Sequence, residues 1–425
     1  MQGSIFGSIL TDFLFVIGAL VVLSIIAWNL WVHYINMLYL KSIEWIMLEI
    51  VPPKDVFKSP QAMELVFNVL YGGAAGNWYE KYWKGELAHW YSLEIVSIEG
   101  KIHFFIRFHK KFRKAFEAQL YAQYPQAEIK EVEDYTKRVP DYVPGGPINL
   151  FAYNLSLAKD DPYPIKSYVD YGLDRAVGSL KEEERIDPIT PLLETMGSIG
   201  VGEQIWIQIN IRKETKRYEI KKKDGDKVII EKGKSWKDKA REIIEEIRKK
   251  NDTKTEDGKT IQGRLTSGQE AAIKAIERHM NKPGFDTGMR VLYVANKENY
   301  NGNTITAFTS MWRQFDSEDL NSFKMTDLTK SPTEPWMDIF KKGPDAMKAG
   351  FLSSYKKRSF FYGSFNFKAP WMSFFNTPNT TGKKPFLLSS EELATIYHLP
   401  GKVVQTPTFT RIEAQKSEPP TNLPI

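Results

Sequence analysis

Residues 13–32, FLFVIGALVVLSIIAWNLWV, carry no formal charge, and Asn29 is their most polar side chain. An α-helix rises about 1.5 Å per residue, so this run spans about 30 Å, the hydrocarbon thickness of a bilayer. Trp28, Trp31 and Tyr34 cluster at its C-terminal end, where amphipathic rings favour the membrane interface. A cleaved signal peptide needs a basic leader, a shorter apolar core and small residues at the cleavage site. Here the leader holds Asp12 and no Lys or Arg, and bulky aromatics stand where cleavage would fall. The run reads as an uncleaved single-pass anchor; the competing reading is a buried helix of a globular core. The first cation is Lys41, followed by Lys54 and Lys58. The positive-inside rule then predicts residues 1–12 as an extracytoplasmic tail and the bulk of the chain on the cytoplasmic side of the inner membrane.

Beyond the apolar run the chain is ordinary globular material. A chain of 425 residues with 42% apolar and 26% charged residues exceeds one domain and is neither collagenous nor wholly disordered. With no cysteine, it has no disulfide framework, thiolate zinc site or cysteine nucleophile.

One order of elements occurs twice. Strand-like residues 46–51 precede a helix opened by Ser59-Pro60 and running to residue 70. Strands at 91–98 and 101–108 flank a Glu99-Gly100 turn; a helix over 112–124 and a strand over 127–132 complete βαββαβ. After the turn-rich linker at 140–147, PDYVPGGP, the order returns: strand 149–157, helix 191–196, strand 203–211, strand 289–295, helix 304–315, strand 322–326. The predicted class is α+β: a transmembrane helix, then two ferredoxin-like units in tandem, at 33–139 and 148–330. Residues 331–400 read as irregular and aromatic-rich with one short helix capped at Ser389, and 401–425 as a proline-rich, extended tail.

Charge is concentrated in an insertion of the second unit. Residues 212–264 hold 19 Lys and Arg against 12 Asp and Glu, an excess of seven. The whole chain is +6, so the remainder stands at −1. The insertion reads as a hairpin around Asp224-Gly225-Asp226, a helix from Trp236, a polar loop over 251–262, and a helix opened by a Ser267–Glu270 capping box. Lys221, Lys222 and Lys223 are the candidates for contact with nucleic acid or anionic lipid; the alternative is a solvated helical excursion.

Enzyme signatures are missing from the sequence. Thr381-Gly382-Lys383-Lys384 lacks the upstream glycine and the following hydroxyl of a phosphate loop. Gly197, Gly200 and Gly202 join a helix to a strand, the wrong geometry for an anion at a helix N-terminus. The six histidines form no H-x-x-x-H pair, and no G-x-S-x-G elbow occurs. No cofactor, metal or catalytic residue is expected. One nucleic-acid pattern is partial: in residues 101–108, KIHFFIRF, strand alternation puts His103, Phe105 and Arg107 on one face, where they could stack bases. The bland reading is an aromatic core strand.

Four segments carry a resemblance: LEIVPPKDVFKSPQAMELVF, HFFIRFHKKFRKAFEAQLYAQYPQAEIKEVEDY, GFDTGMRVLYVANKENYN and LLSSEELATIYHLPGKVVQTPTFTRIEAQKSEPPTNLP. They resemble the amino-terminal, membrane-anchored region of bacterial type IV secretion and conjugative DNA-transfer ATPases, the coupling-protein-like part without the motor. None of the four is a catalytic motif. The resemblance implies a non-catalytic, oligomeric platform that recruits an ATP-driven motor or continues into one. Tyr397, His398, Phe409 and Arg411 would then be the motor-contact residues near the tail. Two other functions stay open: a membrane-tethered nucleic-acid-binding protein, and a structural envelope protein independent of any motor.

Overall fold

The computed structural model describes residues 2–53, 58–72, 76–174, 187–224, 227–250, 253–254, 260–261, 263–329, 343–361 and 385–400. Helix α1 spans Gln2–Ser42, so the apolar helix continues beyond both ends of the charge-free run. Within its portion Phe13–Ser42 the most apolar 18-residue window has a mean hydropathy of 2.5, and none of that window is buried. That excludes the core-helix alternative for these residues. Among the residues of α1 whose burial is described, 13–42, only Ile35 is buried in the body.

The first half then runs β1 Trp45–Val51, α2 Gln61–Leu70, a short α3 Trp78–Tyr82, β2 Trp90–Ile98, β3 Lys101–His109, α4 Arg113–Gln123 and β4 Glu128–Glu131. The β2–β3 turn places both Glu99 (φ 53°) and Gly100 (φ 83°) in left-handed conformation. A two-residue hairpin turn favours this because its twist matches that of the strands. Strand order is β4-β1-β3-β2, antiparallel throughout.

The second half runs β5 Ile148–Leu157, α5 Thr190–Gly197 and β6 Glu203–Lys213 before the insertion. The insertion is a hairpin of β7 Tyr218–Asp224 and β8 Lys227–Lys234, then α6 Trp236–Lys249, the two-residue strands β9 Thr253–Lys254 and β10 Thr260–Ile261, and α7 Ser267–Met280. Most of the expected polar loop at 251–262 lies outside the described residues. Helix α7 is capped one residue earlier than expected, by Thr266, whose hydroxyl accepts from Gln269 N while the Gln269 side chain accepts from Thr266 N. The chain returns through β11 Gly284–Asn296, α8 Gly302–Ser310 and β12 Phe323–Thr326, in the order β12-β5-β11-β6.

The halves do not stand apart. β2 and β6 pair antiparallel from Trp90↔Arg212 to Ile98↔Gln204, fusing the two halves into one sheet, from which the β7–β8 and β9–β10 pairs stand apart. Residues 331–400 are also more regular than expected. They contribute α9 Gly343–Lys356, β13 Phe386–Ser389 and α10 Ser390–Ile396. β13 pairs with Gly284–Thr287 of β11, the stretch that β5 does not reach.

Both faces of the sheet are covered. On one, Leu48, Leu93, Phe104, Ile207, Ile209 and Val291 pack under α2, α4, α5, α8 and α10. On the other, Met47, Val96, Phe105, Leu150, Trp206 and Leu292 meet Phe351, Leu352 and Tyr355 of α9. Each such side chain contributes about 1.5–3 kcal/mol on burial. The alternation read in residues 203–211 holds, but its polar side is not wet: Gln208 and Asn210 are fully buried.

Candidate functional site

The second face holds the densest chemistry, and α9 delivers its central group. Arg358 N donates to Tyr355 O and Ser359 N to Ser354 O, a Schellman closure of α9. Arg358 occupies the left-handed position (φ 51°) that glycine usually takes. The conformation aims its guanidinium into the sheet. Arg358 Nε donates to Glu94 Oε1 at 2.9 Å and Nη2 to Glu94 Oε2 at 3.2 Å, and the outer edge grips Asp134. Glu94 also accepts from Ser92 Oγ (2.6 Å), Tyr135 Oη (2.8 Å) and Gln208 Nε2 (3.2 Å). Tyr135 and Tyr355 share a hydroxyl contact of 2.7 Å.

Burial and pairing set the protonation of Arg358, Asp134 and the two tyrosines. Burial opposes the charge on Arg358, but Glu94 and Asp134 outweigh it and raise the guanidinium well above its usual value. Burial likewise pushes Asp134 up, and the Arg358 contacts more than reverse it. Burial raises both tyrosines well above 10. The cluster is a clasp holding α9 on the sheet, not an acid–base pair. Beside it Arg290 is fully buried, donates to Gln208 Oε1 and Ser359 O at 3.2 Å, and is lowered to about 10 by burial. Gly288, one strand repeat away, leaves room for the Phe360 ring, which a Cβ there would overlap.

The base-stacking face expected on β3 is already engaged. His103 Nδ1 bonds Glu49 Oε1 at 2.6 Å, and its ring stacks on Phe105. Phe105 is buried beneath Tyr135, 5.1 Å between centroids, and the Arg107 guanidinium lies 4.5 Å over the Trp45 ring. Phe105 could stack on a base only if Tyr135 were displaced. The physical reason is the second helical cover, which sequence alternation did not reveal.

Tyr397 and His398, expected as motor contacts, are 1% exposed. Tyr397 Oη donates to Phe105 O at 3.0 Å, and its ring meets Phe67 and Phe104. His398 Nδ1 bonds Ala394 O at 2.7 Å and Nε2 bonds Asp187 at 3.1 Å. Both partners are acceptors, so both ring nitrogens carry hydrogen. These residues root the tail in the fold; they are not surface contacts. Phe409 and Arg411 lie outside the described residues.

The His398–Asp187 pair makes a pH prediction. Burial lowers His398, but Asp187 and the backbone acceptors raise it above 6.5; Asp187, penalised by burial, is lowered below 3.8 by His398. The histidine's contribution is therefore complete below pH 6.5 and is lost as pH rises through its raised value, while Asp187 contributes above pH 3.8. Near pH 6, His398→Leu should cost about 1.5–3 kcal/mol in urea denaturation of the detergent-solubilised chain. The gap between wild type and variant should narrow toward alkaline pH. A gap that widens instead would mean a neutral histidine.

Lys221, Lys222 and Lys223 lie on β7, opposite Ile230, Ile229 and Val228, with side chains outside the described set. Elsewhere in the insertion, cations meet carboxylates: Lys232 with Glu219, Lys239 with Glu242, Arg241 with Asp238, Arg248 with Glu277 and Lys249 with Glu245. At the insertion's base, buried Asp286 accepts from Arg212, Thr215 and Arg217. Trp28, Trp31 and Tyr34 are exposed, and Trp28 and Trp31 meet Tyr82 of α3 and the following Trp83.

Fold and site together define a mixed α/β protein: a large, mostly antiparallel sheet behind what is, among the described residues, one helix long and apolar enough to span a membrane. The chain belongs to the DUF8128 family, a domain of unknown function, whose family model matches residues 41–411. A comparison with curated proteins found no match.

Proposed function

We propose that the chain is a non-catalytic membrane platform of a type IV secretion or conjugative DNA-transfer system, recruiting or continuing into an ATP-driven motor. The observation that carries the anchoring is α1, whose most apolar window is wholly unburied while the body behind it is closely packed. In this reading the helix crosses the inner membrane once, with its N-terminus outside and Lys41 on the cytoplasmic side.

Each half of the sheet is a ferredoxin-like unit, supported by its βαββαβ order and its strand order of fourth, first, third, second. Joined through β2 and β6, the pair forms a rigid plate suited to homo-oligomeric assembly. The clasp at Arg358 and the His398–Asp187 pair suit a scaffold, since their charges are spent on each other.

The partner is an ATPase carrying G-x-x-x-x-G-K-[ST]. Cross-linking in native membranes, followed by purification in detergent, should recover that ATPase covalently joined to this chain, with nucleotide hydrolysis in the purified complex. Recovery of the chain cross-linked only to itself, in membranes where such an ATPase is expressed, would sink the proposal.

A further inference from the structure

Helix α3 and its flanking turns put an unusual amount of aromatic surface in one place. Within six residues, Trp78 is 63% exposed, Tyr79 57% and Trp83 48%, with Tyr82 beside them. A capping box between Asn77 and Glu80 fixes the short helix. It is held against α1: Trp31 Nε1 donates to Tyr82 O at 3.2 Å, Trp28 lies 6.0 Å from the Tyr82 ring, and Trp31 lies 5.8 Å from the Trp83 ring. Gly85, at φ 69°, presses on the α1 backbone at Ile35, where any Cβ would collide. The placement is thus fixed by close contact, not by a loose tether.

The level along α1 is what assigns the partner. From Phe13 to Trp31 the helix rises about 27 Å, so α3 sits near the boundary of a hydrocarbon layer about 30 Å thick. Tryptophan and tyrosine are the side chains that favour this boundary, with an apolar body and a polar edge. Lys81 and Lys84 place their ammonium groups 5.3 and 5.8 Å from the Tyr82 and Tyr79 rings, able to reach the headgroups along their apolar stems. The patch continues the exposed aromatic surface of Trp28, Trp31 and Tyr34, which points to the same occupant.

We propose that residues 77–85 lie in the phospholipid headgroup layer as a second membrane contact, fixing the tilt of the sheet relative to the bilayer. This rests on the reading of α1 as a membrane span, and the test separates the two. The chain has no cysteine, so single cysteines can carry an environment-sensitive fluorophore. Three positions suffice: Leu20→Cys in α1, Tyr79→Cys in α3, and Val201→Cys, which is 76% exposed before β6 at the other end of the sheet.

In phosphatidylcholine nanodiscs holding one full-length chain, the Leu20 label should be quenched by brominated acyl chains and shielded from aqueous iodide. The Tyr79 label should be quenched by bromine placed near the headgroup and lose most of its iodide quenching relative to Val201. A Tyr79 label as open to iodide as Val201, with Leu20 still shielded, overturns the second contact alone. A Leu20 label open to iodide overturns the anchor and the proposal together. Shielding of Tyr79 that exists only in crowded proteoliposomes, and not in single-copy nanodiscs, assigns the patch to a second copy and overturns the lipid assignment.

Discussion

Replacing Arg358 by methionine should destabilise the folded body by about 3–5 kcal/mol, because it leaves buried Glu94 without the guanidinium that grips it. Both side chains of the pair are 0% exposed, so water cannot take over the lost contact. The remaining donors to Glu94, from Ser92, Tyr135 and Gln208, are neutral. The double replacement Arg358→Met with Glu94→Leu should recover part of the loss, since it removes both desolvated charges together. Asp134, partly exposed, can be solvated once Arg358 is gone.

Arg358→Gly gives a sharper reading. At an ordinary helix end a glycine in left-handed conformation is favoured over other residues by about 1 kcal/mol. Here the same change should be net destabilising, because the relief of backbone strain is smaller than the loss of the ion pairs. Urea denaturation of the detergent-solubilised chain, followed by far-ultraviolet circular dichroism, reports each value. A stabilising Arg358→Gly, or a double variant no better than the single, would show that the clasp contributes little.

That clasp was invisible in the sequence for identifiable reasons. Ser92 and Glu94 on β2, and Gln208 and Asn210 on β6, look like the wet side of half-buried strands. They are dry because α9 covers them. Helix α9 itself is hard to read: GPDAMKAGFLSSYK has few apolar residues, an internal Gly350, and ends on an arginine where glycine would mark the stop. The strands were legible because period-two alternation with β-branched and aromatic residues survives any tertiary context. The β2–β6 junction was not, since nothing local distinguishes an edge strand from one that will find a partner more than a hundred residues away. The same blindness explains Phe105 and Tyr397. An aromatic residue beside a polar one reads equally well as an exposed platform or as a core side chain, and only the covering element decides. Helix caps fared better. Ser389 with Glu392 was readable, and the α7 cap missed by one residue because Thr266 and Ser267 offer equivalent hydroxyls.

Introducing two arginines into α1, Leu20→Arg with Leu23→Arg, should abolish stable membrane association while leaving the sheet body folded. Each arginine near a span's centre costs about 2.5–3.5 kcal/mol, and each leucine removed gave about 0.3–0.6 kcal/mol, so the pair costs about 6–8 kcal/mol. The apolar residues of 13–32 together supply a gain of that order, so two substitutions cancel it. The body should be indifferent, because Leu20 and Leu23 are 58% and 61% exposed and support no core contact. Ile35→Arg should behave in the opposite sense. Ile35 is 5% exposed, where α1 meets the body, so this change should lower the unfolding midpoint without releasing the chain from the bilayer. Carbonate extraction of membranes reads the first property and thermal unfolding reads the second. A double-arginine variant that still resists carbonate would place the anchorage elsewhere in the chain. One that leaves the membrane and also loses its unfolding transition would mean that α1 belongs to the folded core, and the separation of anchor from plate would fail.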